Sequence, residues 1–177
     1  MKKNQKMVFI AIYVAMALDL DYVKELLPFL NMPNGGSVNI ALIPVVLASF
    51  HLGVKEGLVS GLLWWLISSL LGLNSWFLNI PQYIVDYIIP SVIIGASAIF
   101  YSKKNVMEVE LGILLTMVIR TLCVVISGVY FWADGVAAGS AAAWTVSLTY
   151  NLPYSIATCV MLMIVIPLLL KTLKPRM

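Results

Sequence analysis

Charged side chains make up only 11% of this 177-residue chain, against roughly 25% in ordinary soluble domains. Together with 62% hydrophobic residues and a mean hydropathy of +0.99, that scarcity excludes a typical soluble domain. Histidine is nearly missing: His51 is the single one, so neither an HExxH zinc site nor a Ser/His/Asp set is present. It falls beside Lys55 and Glu56 and reads as a boundary residue. The two cysteines, Cys123 and Cys159, lie in apolar runs without metal-ligand spacing and read as small packing residues. No GxxxxGK(S/T) loop occurs, so ATP is not bound in that manner. The tools of an enzyme are absent and no cofactor is implied. A carrier that takes its energy from elsewhere remains open.

What the chain has in quantity is apolar length. A helix needs about 20 apolar residues to cross a bilayer, fewer where neighbours shelter it. Six candidate spans follow: Met7 to Leu30, Val38 to Leu52, Gly57 to Leu73, Ile80 to Phe100, Leu111 to Phe131 and Trp144 to Leu170. Asp19, Asp21, Lys24 and Glu25 mark the outer, wetter end of the first. Pro28 and Pro33 then break the helix before an Asn34-Gly35-Gly36 turn. With no soluble segment or long linker in view, residues 1–177 read as a single integral membrane domain of all-α class. No small-residue cleavage site follows the Met1–Lys6 stretch, so a signal peptide is not expected.

Charge placement orients the spans. Lys2, Lys3, Lys6, Lys55, Lys103, Lys104, Lys171, Lys174 and Arg176 all lie between or outside the apolar runs. The loops near Asn34, Asn74 and Asp134 carry no Lys or Arg. Under the positive-inside rule both termini are cytoplasmic. The net charge of +3 is therefore a topology signal rather than a nucleic-acid surface.

Two charges break the pattern: Asp86 and Arg120 lie inside apolar stretches. A charge at bilayer depth costs about 2.5–3.5 kcal/mol on insertion scales, so it faces a partner or a cavity. Asp86 and Asn151 are about six or seven residues inside their spans, roughly 10 Å below the outer surface at about 1.5 Å per residue. Asn39 opens the second span, Tyr150 precedes Asn151, and Trp132 ends the fifth span. Trp64, Trp76, Tyr83, Tyr87 and Trp144 lie in or near the same half, either as membrane-belt anchors or as walls of a site. A small pocket for a flat polar ligand combines these observations. Asp86 and Arg120 also have a simpler reading, in which they pair with each other. In the first span, Ala11 and Ala15 share one helical face, suited to close approach of another helix within or outside the chain.

In combination these features resemble the substrate-binding (S) components of energy-coupling factor vitamin transporters, most closely the thiamin-specific branch. The marks are Pro33-Asn34-Gly35-Gly36-Ser37-Val38 running into Ile43-Pro44, Gly61-Leu62-Leu63-Trp64, and Pro81-Gln82 followed by Asp86-Tyr87. Ser127-Gly128-Val129-Tyr130-Phe131-Trp132 and Ser147-Leu148-Thr149-Tyr150-Asn151 complete the series. The resemblance implies six transmembrane helices in a bacterial cytoplasmic membrane and capture of thiamin or a related vitamin from outside. The implied partners are a transmembrane coupling protein and two ABC-type ATPases, besides the surrounding lipid. Ala11 and Ala15 match the AxxxA face by which such a component docks. Asp86, Trp132 and Asn151 become pocket residues, with Tyr87, Trp64, Arg120, Asn39 and Tyr150 close by. An acidic residue suits a thiazolium or aminopyrimidine, an indole face stacks and attracts a cation, and an amide both donates and accepts. The chain departs from the family where Val124 and Val146 replace a histidine and a tyrosine. Asp86 is also shorter than the usual glutamate, and Asn39 stands at a position that is acidic in some thiamin binders. Those departures keep open a different ligand, such as the thiamin pyrimidine precursor. A membrane structural subunit is the alternative outside transport.

Overall fold

The computed structural model describes residues 1–33, 36–73, 76–102, 105–132 and 135–172. Among these residues six helices form: α1 (Lys3–Glu25), α2 (Leu42–Leu52), α3 (Val54–Leu70), α4 (Ile80–Ala96), α5 (Val106–Phe131) and α6 (Ala141–Thr172). There is no strand among the described residues. An isolated Asn31–Ser37 bridge closes the loop after a short 3-10 turn at Pro28–Leu30. Among the described residues, only α5 and α6 are long and apolar enough to cross a membrane on those grounds alone. The expected turns at Asn34-Gly35, Asn74 and Asp134, and the basic residues Lys103, Lys104, Lys174 and Arg176, lie outside the described residues.

The helix limits differ from the apolar runs for local reasons. α1 stops at Glu25 rather than Leu30, because Pro28 has no N–H and biases the residue before it away from helix. α2 is 11 residues long, about 16 Å, which is shorter than the expected Val38–Leu52. Its entry stays non-helical because the Asn39 side-chain oxygen accepts the Ala41 N–H at 3.1 Å, while the Asn39 N–H donates to Thr158 Oγ1 at 3.0 Å. α5 starts earlier than expected because Asn105 caps it, accepting the Glu108 N–H at 2.8 Å.

α2 is the centre of the bundle. Leu42, Pro44 through Phe50, and Leu52 are all buried, against α1, α3, α4 and α6. A helix enclosed on nearly every side must be apolar on nearly every side, and only Ser49 and His51 of this one are polar. Around it α3 crosses α4 at glycine contacts. A Cβ on Gly57 would strike the Gly95 carbonyl oxygen, and one on Gly61 would strike the Ser91 carbonyl oxygen. On the other flank, Gly112 of α5 meets the Ser97 carbonyl oxygen. Small residues let these backbones touch.

Polar bonds close the same end of the bundle. Lys6 Nζ meets Glu56 Oε1 at 2.6 Å, and the Tyr13 hydroxyl bonds His51 Nδ1 at 2.8 Å. His51 is exposed there, as a boundary residue would be. Ala11 and Ala15 are exposed on α1, so internal packing does not explain their spacing.

Candidate functional site

At the opposite end α1, α3, α4, α5 and α6 part around a cavity of about 570 Å³, a size typical of small-molecule sites. Asp86, Trp132, Asn151, Tyr87, Arg120, Asn39, Trp64 and Tyr150 all line it. Residues scattered from position 39 to position 151 therefore meet at one place.

Asp86 is held by its own helix. Asn79 caps α4 through the Gln82 N–H at 2.9 Å, and Gln82 is fully buried. Its Nε2 donates to Asp86 Oδ2 at 3.0 Å, one turn further on. Asp86 and Tyr87 fall within a π turn at Ile84–Ile88, in which the Ile89 N–H bonds the Ile84 carbonyl. Pro90 has no N–H to return to the Asp86 carbonyl, and π turns recur where the regular ladder is interrupted at functional positions. Trp132 Nε1 donates to the same Asp86 Oδ2 at 3.0 Å. Both bonds fall on Oδ2, so Oδ1 keeps accepting capacity for an occupant of the cavity. The Trp132 ring meets Trp76 edge to face, with centroids 6.4 Å apart.

Asn151 is fixed from its own helix as well. Its Nδ2 donates to the Ser147 carbonyl at 2.9 Å and to Ser147 Oγ at 3.2 Å. Ser147 Oγ in turn donates to the Val125 carbonyl at 2.7 Å, tying α6 to α5. The Tyr154 hydroxyl donates to Asn151 Oδ1. Gly128 makes this junction possible, since a Cβ there would stand 3.0 Å from Ser147 Cβ. Gly36, at φ +74°, lies so close to the Tyr154 ring that a Cβ would overlap it. The loop after α1 thus rests on the cavity wall.

The third polar group corrects two expectations. Asp21 does not mark a wet helix end: it is 7% exposed and lines the cavity. Trp64 Nε1 donates to its Oδ2 at 2.6 Å, and Lys24 Nζ stands 3.9 Å from Oδ1. α1 turns this face inward because Tyr13, Val14, Ala17 and Asp21 follow helical spacing into the bundle. Asp19 and Glu25 do point outward. Among the described residues no ion pair joins Arg120 to Asp86; the carboxylate takes Gln82 and Trp132 as its bonded partners. Among the described residues Arg120 makes no ion pair and no hydrogen bond, although it lines the cavity.

Sequence reasoning missed Asp21, Lys24, Ser91, Gly128, Ser147 and Tyr154 as cavity residues, and it left Trp76 open between a membrane-belt anchor and a wall of the site, which is where the structure places it. Helical spacing contained part of the signal. Ser147, Asn151 and Tyr154 fall three or four apart on one face, as do Asp21 and Lys24. Val124 and Val146 line the cavity too, so the two departures from the family pattern lie on its surface.

Comparison with known proteins agrees over nearly the whole length. The thiamine transporter ThiT of Bacillus subtilis (strain 168) is 35% identical over 187 aligned positions, covering 99% of this chain and 95% of that protein. The solved structure of ThiT from Listeria monocytogenes superposes with a TM-score of 0.69, at 24% identity, over 92% of this chain and 94% of the other. The second likeness establishes the fold. Residues 7–177 match the profile of the thiamine transporter proteins, and this membrane chain belongs to that Thia_YuaJ family.

Proposed function

We propose that the chain is the substrate-binding (S) component of an energy-coupling factor importer and captures thiamin from outside a bacterial cytoplasmic membrane. In this reading residues 1–177 form one integral membrane domain with six spans and both termini cytoplasmic. α2 crosses despite its length because α1, α3, α4 and α6 enclose it. The observation that carries the reading is the Asp86–Trp132 pair: a half-buried carboxylate on the cavity wall, bonded to an indole on the same wall. Such a pair suits a flat cation or aminopyrimidine, which gains both a charge-assisted bond and a stacking face. Asn151, Tyr87 and Tyr150 supply the polar edge around it, with Asn39, Trp64 and Arg120 further along the wall. Because the chain has no phosphate-binding loop of its own, accumulation rests on a transmembrane coupling protein and two ABC-type ATPases. The exposed Ala11–Ala15 face of α1 is where the coupling protein docks.

A second reading has one observation in its favour. Val124 and Val146 give the cavity an apolar stretch where the family resemblance implies polar rings, which suits a smaller or less polar heterocycle such as the thiamin pyrimidine precursor. Calorimetric titration of the detergent-purified protein decides between the two. Thiamin binds the parent saturably, and Asp86→Asn weakens it about ten- to hundredfold, the loss of a buried charge-assisted bond of about 1.5–3 kcal/mol. Silence with thiamin and saturation with the pyrimidine alone select the second reading, which Val124→His with Val146→Tyr then reverses. An Asp86→Asn protein that stays folded with unchanged affinity overturns the placement of the site.

A further inference from the structure

Ser127 on α5 is fully buried, and its hydroxyl has no hydrogen-bond partner among the described residues. Hydroxyls elsewhere in the helices settle locally. On α5 itself Thr116 and Thr121 donate to the Gly112 and Met117 carbonyls one turn back, at 3.0 and 2.7 Å. Ser60 of α3 does the same to the Glu56 carbonyl at 2.8 Å. Ser127 does not take that route, although Cys123 stands one turn behind it. Leaving a buried hydroxyl unpaired is costly, and native folds rarely do so.

Its position supplies a reason. Ser127 falls three residues after Val124 and seven after Arg120, on the stripe of α5 that lines the cavity. In that turn Val124 and Gly128 reach the wall, while Ser127 is enclosed. α5 packs there against the π turn at Ile84–Ile88. The hydroxyl stands beside the Asp86 carboxylate without bonding to it. Asp86 takes its two bonds from Gln82 and Trp132 instead, both on Oδ2. Gln82 is fixed at both ends of its amide, since its Oε1 accepts the Leu78 N–H at 3.2 Å. Trp132 is half-buried, follows the last turn of α5 and lines the cavity, so it is the donor that an occupant can disturb.

We propose that Ser127 is a positioning residue held in reserve: when a flat ligand settles on the Trp132 face, the Ser127 hydroxyl turns onto the Asp86 carboxylate and keeps it aimed at the ligand. The inference rests on the reading of Asp86 and Trp132 as the ligand's partners. It requires rotation about one side-chain bond and no backbone movement. Ser127 acts through Asp86 and does not touch the ligand. The free protein carries the unpaired hydroxyl as a cost, and the bound protein recovers it as affinity.

The test reads the free and bound states separately, on the full chain in detergent. Ser127→Ala removes the hydroxyl and little else. Without ligand its melting midpoint equals or exceeds that of the parent, because the deleted group was unpaired. Calorimetric titration with thiamin then gives an affinity about three- to tenfold lower than the parent's. Ser127→Cys, which keeps only a weak donor, falls between the two. In an Asp86→Asn background the loss from Ser127→Ala shrinks to within about twofold, since the two residues act as one network. A lowered midpoint for ligand-free Ser127→Ala means that the hydroxyl is already bonded, and overturns the proposal. So does an unchanged thiamin affinity, or an equal loss in the Asp86→Asn background; each of these leaves the thiamin reading standing. If the parent is silent toward thiamin, the pyrimidine precursor serves as the probe and the same split is expected. Silence of the parent toward both removes the reading and the proposal together.

Discussion

The two ends of the bundle solve opposite problems with the same helices. At the Lys6–Glu56 end, glycines pull α3, α4 and α5 into backbone contact, and the Tyr13–His51 and Lys6–Glu56 bonds close the remaining polar groups. At the cavity end tryptophans and tyrosines line an open space, and polar side chains such as Asp86 and Asn151 are pinned in it by bonds from their own and neighbouring helices. The first end is spent on cohesion, and the second keeps its donors and acceptors for something else. α1 belongs to both: Lys6 and the exposed alanines lie near one end, Asp21 and Lys24 at the other.

One pair of substitutions sets the ends directly against each other. Gly57→Val drives a side chain into the Gly95 carbonyl, a backbone atom that cannot rotate away, and costs stability at or above the upper end of about 1–3 kcal/mol. Loss of the folded monomer peak in size-exclusion chromatography is the expected result. Gly128→Ala meets instead the Ser147 and Asn151 side chains, which can shift. The protein stays folded while ligand affinity falls, because those two residues hold one wall of the cavity. If Gly57→Val folds normally, the close glycine crossing is not what holds that end together.

A bulky residue on the exposed face of α1 separates transport from binding. Ala11→Phe or Ala15→Phe leaves the affinity of the isolated chain unchanged and abolishes uptake in cells that supply the coupling protein and ATPases. Normal uptake by either variant removes the docking role of that face.

The smallest effect is at the closing ion pair. Lys6 beside Glu56 holds that carboxyl below its ordinary range. The stabilisation is therefore complete above the unfolded carboxylate pKa and disappears as pH falls through the lowered folded value. For a partly exposed pair it amounts to no more than about 1 kcal/mol. Glu56→Gln should lower the melting midpoint slightly at neutral pH, with the difference from the parent vanishing in acid. A difference that persists at low pH assigns the effect to packing.

Comparing expectation with structure shows where local pattern stops being informative. Apolar runs located all six helices, since mean hydropathy over a run needs no knowledge of neighbours. Their ends moved by a few residues wherever a proline or an asparagine cap acted, as at Pro28, Asn39 and Asn105. Asp21 was misread because a carboxylate near Lys24 and Glu25 looks like a wet boundary. Only the position of Trp64 on another helix, 43 residues away in sequence, turns it into a buried acceptor. Tyr154 went unnoticed because its role is to hold Asn151, and that bond depends on side-chain direction in α6.

By itself the sequence determined that this is an apolar helical chain without nucleotide or metal motifs, carrying two charges that membrane depth makes expensive. Those conclusions rest on composition and on the cost of burying charge, which are properties of single segments. What only the tertiary structure decided is who partners whom. Asp86 took Gln82 and Trp132, Asp21 took Trp64, and Arg120 was left facing the cavity. The reason is geometric: a hydrogen bond is satisfied or lost within a few tenths of an ångström. Helix periodicity fixes the face on which a residue lies, whereas the crossing of α1, α3, α4 and α5 fixes which faces meet.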